Sequence, residues 1–182
     1  MSDVRGALLR QIKDKAVVHG KVTLSSGLEA DYYVDLRRVT LDGEAAPLVG
    51  QVLLDLTGGL DFDAVGGLTM GADPVATSML HAAAARGQRL DAFVVRKAAK
   101  AHGMQRRVEG PEIRGRRVLV VEDTSTTGGS PLEAVEAVRE AGAEVVAVAT
   151  IVDRATGAAE KIEKGAGVPY LFAYSKDELG LE

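Results

Sequence analysis

The chain has 182 residues, 46% of them hydrophobic, which suits one compact domain with a sizeable core. Cysteine and tryptophan are absent, which excludes a disulfide scaffold, a thiolate nucleophile and a thiolate zinc site, and leaves a core of Ala, Val, Leu and Ile. The formal net charge of −4 speaks against general nucleic-acid binding; with no secretory pattern at the start and no apolar run long enough for a bilayer, a cytoplasmic protein without membrane partners is expected.

Val4, Leu8, Ile12 and Ala16 recur at helical spacing and predict an opening helix. Two short strands, Lys21–Leu24 and Tyr32–Leu36, follow around Ser25-Ser26-Gly27 as a small hairpin-like lobe. Ala45, Leu48, Val49, Val52, Leu53 and Leu56 mark one face of a helix that Gly58-Gly59 ends, and Ala64–Leu68 reads as a short buried strand. Asp73-Pro74 opens the next helix: Asp is expected to cap the first N–H groups, and Pro at the first helical position gives up no hydrogen bond. Its buried face is Val75, Ala76, Met79, Leu80 and Ala83.

Then come strand Asp91–Val95, a polar loop from Arg96 to Gly115, strand Val118–Glu122, a Gly-rich turn, helix Pro131–Ala141 and strand Glu144–Val152. Continuous apolar runs such as Val118-Leu119-Val120-Val121 belong to strands buried on both faces, so the pattern is an α/β domain with a parallel sheet flanked by helices. In such sheets ligands sit beyond the carboxyl ends of the strands. No internal repeat, Pro-rich linker or low-complexity segment divides the chain, and residues 1–182 are expected to form a single domain.

The most informative segment runs Val120-Val121-Glu122-Asp123-Thr124-Ser125-Thr126-Thr127-Gly128-Gly129-Ser130. Gly128 and Gly129 let successive backbone N–H groups converge. The hydroxyls of Thr126, Thr127 and Ser130 add donors, and the following helix presents its positive end. Together they suit a phosphate monoester. Glu122 and Asp123 cannot bind that phosphate, but carboxylates accept hydrogen bonds from vicinal hydroxyls, so a ribose 5-phosphate accounts for both halves. Taken singly, Ser130 is a helix cap, the glycines a tight turn and the acids a solvated pair; their coincidence at a strand end favours the ligand. Neither a Walker loop nor a Gly-x-Gly-x-x-Gly pattern occurs.

A second segment, from Arg96 to Arg107, gathers Arg96, Lys97, Lys100, Arg106 and Arg107 with His102 and no acid. A solvated loop, a nucleic-acid patch and a catalytic lid all fit such a run. No aromatic side chain lies in it to stack on single-stranded bases. A cationic lid of this kind can close over a pyrophosphate leaving group.

The acid pair followed by Thr-Gly resembles the 5-phosphoribosyl-1-pyrophosphate signature of the type I phosphoribosyltransferases. The spacing Arg96-Lys97-x-x-Lys100-x-His102-Gly103 is similar to the mobile loop of the orotate phosphoribosyltransferases within them. Thr23-Leu24-Ser25-Ser26-Gly27 with Tyr32-Tyr33-Val34-Asp35 resembles that family's N-terminal hood, and Asp153-Arg154 its base-contacting arginine. The resemblance covers nearly the whole chain. It implies the type I phosphoribosyltransferase fold with a small hood, contributed by about residues 1–40 and the C-terminal segment. Glu122 to Ser130, including Thr124 and Ser125, would bind the ribose 5-phosphate, and Thr126 and Arg154 would contact orotate. Arg96, Lys97, Lys100 and His102 would contact pyrophosphate.

Gly67–Asp73 corresponds to the family's pyrophosphate loop, but Met70 stands where many members have Lys, and Ser25 where some bacterial members do. The implied reaction is attack of a ring nitrogen of orotate on the anomeric carbon of 5-phosphoribosyl-1-pyrophosphate, giving orotidine 5'-monophosphate and pyrophosphate for pyrimidine synthesis. Glu122 and Asp123 would favour the oxocarbenium-like transition state, and Lys100 and His102 would assist the leaving group or carry a proton. Mg²⁺ would be held mainly by substrate oxygens and water, since the chain offers no carboxylate cage. A homodimer with shared active sites completes the expectation. A purine phosphoribosyltransferase, a non-catalytic sensor of the sugar diphosphate and a nucleic-acid binder are the alternatives; the intact lid counts against the second and the acidic charge against the third.

Overall fold

The stripe Val4, Leu8, Ile12 and Ala16 folds as α1 (Ser2–Gln11) followed by a π-helical turn over Ile12–Ala16, with Leu8, Ile12 and Ala16 fully buried. The structure is a computed structural model that describes residues 2–23, 27–98, 106–125 and 127–181. β1 (Val17–Thr23) and β2 (Glu29–Val34) pair antiparallel as the hood, with Val17 opposite Val34. Both strands begin earlier than expected, and β2 ends at Val34. The reason lies at the base of the hood: the Asp35 N–H donates to Ala16 O (2.8 Å), and Leu36 turns into the core. One turn of helix, α2 (Arg37–Thr40), follows.

α3 (Ala46–Leu56), β3 (Ala64–Leu68), α4 (Asp73–Ala85) and β4 (Asp91–Val95) lie where the hydrophobic periodicity puts them. Leu80 is only half-buried. Asp73 does not cap α4; Ala72 holds that position without a side-chain cap, and Asp73 turns its carboxylate to the Thr69 hydroxyl at 2.5 Å. Within the polar loop, β5 (Val108–Glu109) pairs antiparallel with β4. β6 (Arg117–Ser125) extends three residues past Glu122, because Thr124 and Ser125 pair with Val152 and Asp153 of β7 (Glu144–Asp153).

Between β6 and β7 lies α5 (Gly129–Glu140). The chain then adds elements that its pattern did not announce: α6 (Ala158–Ala166), β8 (Tyr170–Ser175) and a 3-10 turn at Asp177–Leu179.

The six-stranded sheet has the order β5-β4-β3-β6-β7-β8, parallel except for β5. Alternation along the strands sorts the core into two layers. Leu119, Val121, Ala149 and Ile151 pack with α1, α3 and α4, whereas Val118, Val120 and Val148 pack with α5 and α6. At the amino end of the sheet Arg116 ties strands together through Asp63 (2.7 Å) and Asp91 (2.9 Å). The opposite, carboxyl end is thereby left for ligands. Among the described residues no helix is long and apolar enough to cross a membrane.

Candidate active site

Five segments meet at the carboxyl edge of the sheet: the ends of β3, β4, β6 and β7 and the start of α5. Glu122 and Asp123 stand at their centre on β6. Glu122 is only 8% exposed, and the Asp123 N–H donates to its Oε1 at 3.2 Å. The loop after β3 crosses directly over them. At Gly71 a Cβ would overlap Glu122 Oε1 and come within 3.1 Å of Asp123 Oδ1, so only glycine lets this backbone lie against the acids. The Thr69–Met70 peptide in the same loop is cis, and Met70 is exposed.

Crowding sets the protonation of the pair. Burial first, then the neighbouring Asp123 charge and more distantly that of Asp73, pushes the Glu122 carboxyl up to about 8. Burial also raises Asp123, although Glu122, the Thr124 N–H and the Arg37 guanidinium pull it back. Burial beside a second acid thus favours the neutral form of Glu122. Asp73 Oδ1 is buried without a hydrogen-bond partner among the described residues, which adds to the negative potential. These acids do not amount to a cage: among the described residues no group of three ligating side chains is placed to hold a metal ion.

β6 then delivers the turn. Thr127 is exposed, Gly128 takes φ +83° as the N-cap of α5, and Gly129 and Ser130 open the helix with no side chain capping it. A Cβ at Gly128 would press on Ile162 of α6 at 3.2 Å. Ser130 is therefore inside the first turn and not its cap. Thr124 gives its hydroxyl to Val152 O at 3.3 Å. Ser125 is fully buried, and its hydroxyl donates to Asp153 Oδ1 at 2.8 Å. Thr126 lies outside the described residues, as do Lys100, His102 and Ser25.

Arg96 and Lys97 follow β4 on the same edge, with Lys97 exposed and Arg96 3.6 Å from Glu109. Arg107 belongs to the stem of the cationic segment. It donates to Arg96 O and Lys97 O at 3.0 and 3.2 Å and to Glu133 at 2.7 Å, so its charge is committed within the protein.

Arg154 follows β7, half-buried beside a concavity of about 120 Å³. Tyr32 and Val34 of the hood, Lys176 and Leu179 line it too, with Thr156 at its rim. Lys176 escaped the sequence reading. Its signal was the register: Asp153 pairs with Ser175, so the residue after β8 falls beside the residue after β7, provided β8 is recognised. Asp153 and Tyr170, joined to Ser125 and to each other by contacts distant in sequence, and Arg37, whose charge reaches Asp123, gave no local signal. Burial pushes the Tyr170 phenol up to about 12, so it remains a hydroxyl at neutral pH. A much larger groove, about 980 Å³, lies between α2, α3 and α4 and meets the acids only at Asp73 and Pro74. Its lining is mainly apolar and carries none of the described phosphate-turn residues.

The chain matches known proteins in sequence and in fold. The phosphoribosyl transferase domain family covers residues 39–169. An orotate phosphoribosyltransferase of Streptomyces avermitilis is 91% identical over the full length of both chains. This chain belongs to the orotate phosphoribosyltransferase family. Another member, the orotate phosphoribosyltransferase of Mycobacterium tuberculosis solved with Fe(III) dicitrate, superposes with a TM-score of 0.90 at 59% identity, covering 98% of this chain and 99% of that one. The same Mycobacterium tuberculosis family member solved with 5-phospho-α-D-ribosyl 1-diphosphate gives 0.86 at 52% identity, with the same coverage. The type I phosphoribosyltransferase fold is thus common to the chain and to its family.

Proposed function

We propose that the protein transfers ribose 5-phosphate from 5-phosphoribosyl-1-pyrophosphate to orotate, forming orotidine 5'-monophosphate and pyrophosphate in pyrimidine synthesis in the cytoplasm. The observation that carries this reading is the buried acid pair on β6, with a phosphate-type turn following the same strand and Arg154, beside its concavity, following the paired strand β7. Acids, turn and concavity suit the three parts of a nucleotide.

The turn at 126–130 takes the 5'-phosphate on backbone N–H groups and the positive end of α5. Glu122 and Asp123 take the ribose. With Glu122 biased towards its neutral form, one carboxyl is able to donate and the other to accept, which suits two vicinal hydroxyls. Asp123 also lends negative potential to the sugar as positive charge develops in the transition state. The base occupies the concavity, where Arg154 and Lys176 meet the oxygens of a planar anion and Tyr32 and Val34 supply apolar walls.

Arg96, Lys97, Lys100 and His102 receive the pyrophosphate, and Lys100 or His102 supplies a proton to it on departure. Mg²⁺ would be held largely through substrate oxygens and water, beside the carboxylates of Asp73, Glu122 and Asp123. When bound, it neutralises the pyrophosphate. A homodimer in which each cationic segment serves the neighbouring site is part of the same reading.

A direct test follows the ultraviolet absorbance of orotate with 5-phosphoribosyl-1-pyrophosphate and Mg²⁺. Orotate is expected to be consumed, with little turnover of hypoxanthine, guanine or xanthine. Equal or better turnover of a purine overturns the assignment.

A further inference from the structure

Arg154 is held from behind by a chain of side chains that the reaction itself does not require. Its main-chain N–H donates to Ser125 Oγ at 3.3 Å, and Ser125 Oγ donates to Asp153 Oδ1 at 2.8 Å. The Tyr170 hydroxyl, arriving from β8, donates to the same Oδ1 at 2.9 Å. Thr150 Oγ1 lies 2.9 Å from that hydroxyl.

The proton count gives the chain a direction. Tyr170 has one hydroxyl proton and directs it at a carboxylate, which can only accept, so Thr150 is the donor to Tyr170. The other acceptor within reach of Thr150, Val152 O, is further away at 3.4 Å. Side chains from the two flanking strands, β6 and β8, thus converge on one carboxylate of β7. Its second oxygen, Oδ2, accepts the Ala155 N–H at 3.3 Å.

Ala155 has φ 57°, a left-handed conformation that a residue with a Cβ holds only when its surroundings impose it. Thr150 and Ser125 are fully inaccessible and Tyr170 nearly so. A polar chain buried in an apolar strand layer lowers stability unless every member is satisfied, and an all-apolar layer would fold at least as well. The arrangement is therefore better explained by what it holds in place than by stability.

The geometry points to Tyr170 and Asp153 as positioning residues for the base: through Ser125 they lock the turn that carries Arg154 against the end of β6, and so set the span between the base concavity and the phosphate turn. The inference rests on the reading of Arg154 as a base contact. The strands themselves do not need the network, because Ser125 and Asp153 are also paired through the β6–β7 ladder. Loss of one hydroxyl should loosen the turn and leave the strand ends in register.

Tyr170→Phe removes that one oxygen and keeps the ring. It is expected to raise the KM for orotate roughly tenfold, with KM for 5-phosphoribosyl-1-pyrophosphate within about twofold and kcat little changed. Hydrogen exchange at the Arg154 and Ala155 amides should accelerate by roughly tenfold, while Val121 and Ala149, paired deeper in the ladder, keep their rates. Thr150→Val should move the same quantities less, and Thr150→Ser, which restores the donor, should return them.

Unchanged exchange at Arg154, or an equal rise in both KM values, overturns the proposal, because a purely structural role does not separate the two substrates. Faster exchange at Arg154 in a protein whose wild type ignores orotate would instead overturn the reaction assignment and leave the positioning role standing.

Discussion

At the level of single residues the site turns on the contact between Gly71 and the acid pair. Gly71→Ala would force Glu122 out of its buried position, so kcat/KM should fall by roughly ten- to a hundredfold while the Tm moves by only a few degrees, as steady-state kinetics and thermal melts can check. Glu122 also carries a pH signature. Its folded pKa, about 8, lies above the ordinary 4.5, so the stability gained by holding its proton is fully present below about pH 4.5 and is lost as the pH rises through 8. Thermal melts of the ligand-free protein should therefore fall in Tm between about pH 5 and about pH 8.5. Glu122→Gln should flatten that slope and exceed the wild type at pH 8 by about 1–2 kcal/mol, or about 3–6 °C. An equal slope in both proteins would place the proton elsewhere. The acids themselves were legible in the sequence, because two carboxylates directly after an apolar strand have few structural uses. The burial of the Ser125 hydroxyl was not, since it depends on a residue 28 positions away.

Among elements, legibility followed length and period. α3 and α4 show their apolar faces over eleven and thirteen residues, and β3 and β4 are bounded by polar or Gly-rich turns. α2, with four residues, is too short for any period to register. α6 has only Ala158, Ile162 and Ala166 on its buried side, two of them too small to stand out. β8 was overlooked although Tyr170, Ala173 and Tyr174 are buried, because its faces do not alternate cleanly. The Arg96–Gly115 stretch shows the reverse error. Its charge suggested one uniform cationic surface, yet Arg107 is the clasp that joins the two stems and ties them to α5 through Glu133. Arg107→Gln should therefore raise the KM for 5-phosphoribosyl-1-pyrophosphate by about tenfold with a Tm loss of no more than a few degrees, if the stems set where Arg96 and Lys97 point. A change confined to Tm would limit Arg107 to stability.

For the whole molecule, the proposed sharing of sites between two subunits has a direct consequence in mixed assemblies. Lys100→Ala and Asp123→Asn should each give a nearly inactive protein. In a heterodimer of the two, one site receives both defects and the other neither, so subunit exchange should restore up to roughly half of wild-type activity per dimer if the sites act independently. Mass-tagged subunits can establish that exchange occurred; confirmed heterodimers that stay inactive would mean that each cationic segment serves its own site.

The clasp between α1 and the segment around β8 joins parts of the chain that are far apart in sequence. Arg5 donates to Ala173 O at 2.7 Å and to Glu178 at 2.6 Å, its guanidinium lies 4.6 Å from the centre of the Tyr174 ring, and the Tyr174 hydroxyl returns a hydrogen bond to Arg5 O. These partners are separated by 168 to 173 residues. Contacts that close so long a loop cost chain entropy before they return any energy, so they are expected to form late in folding and to be among the first to open when the protein is stressed.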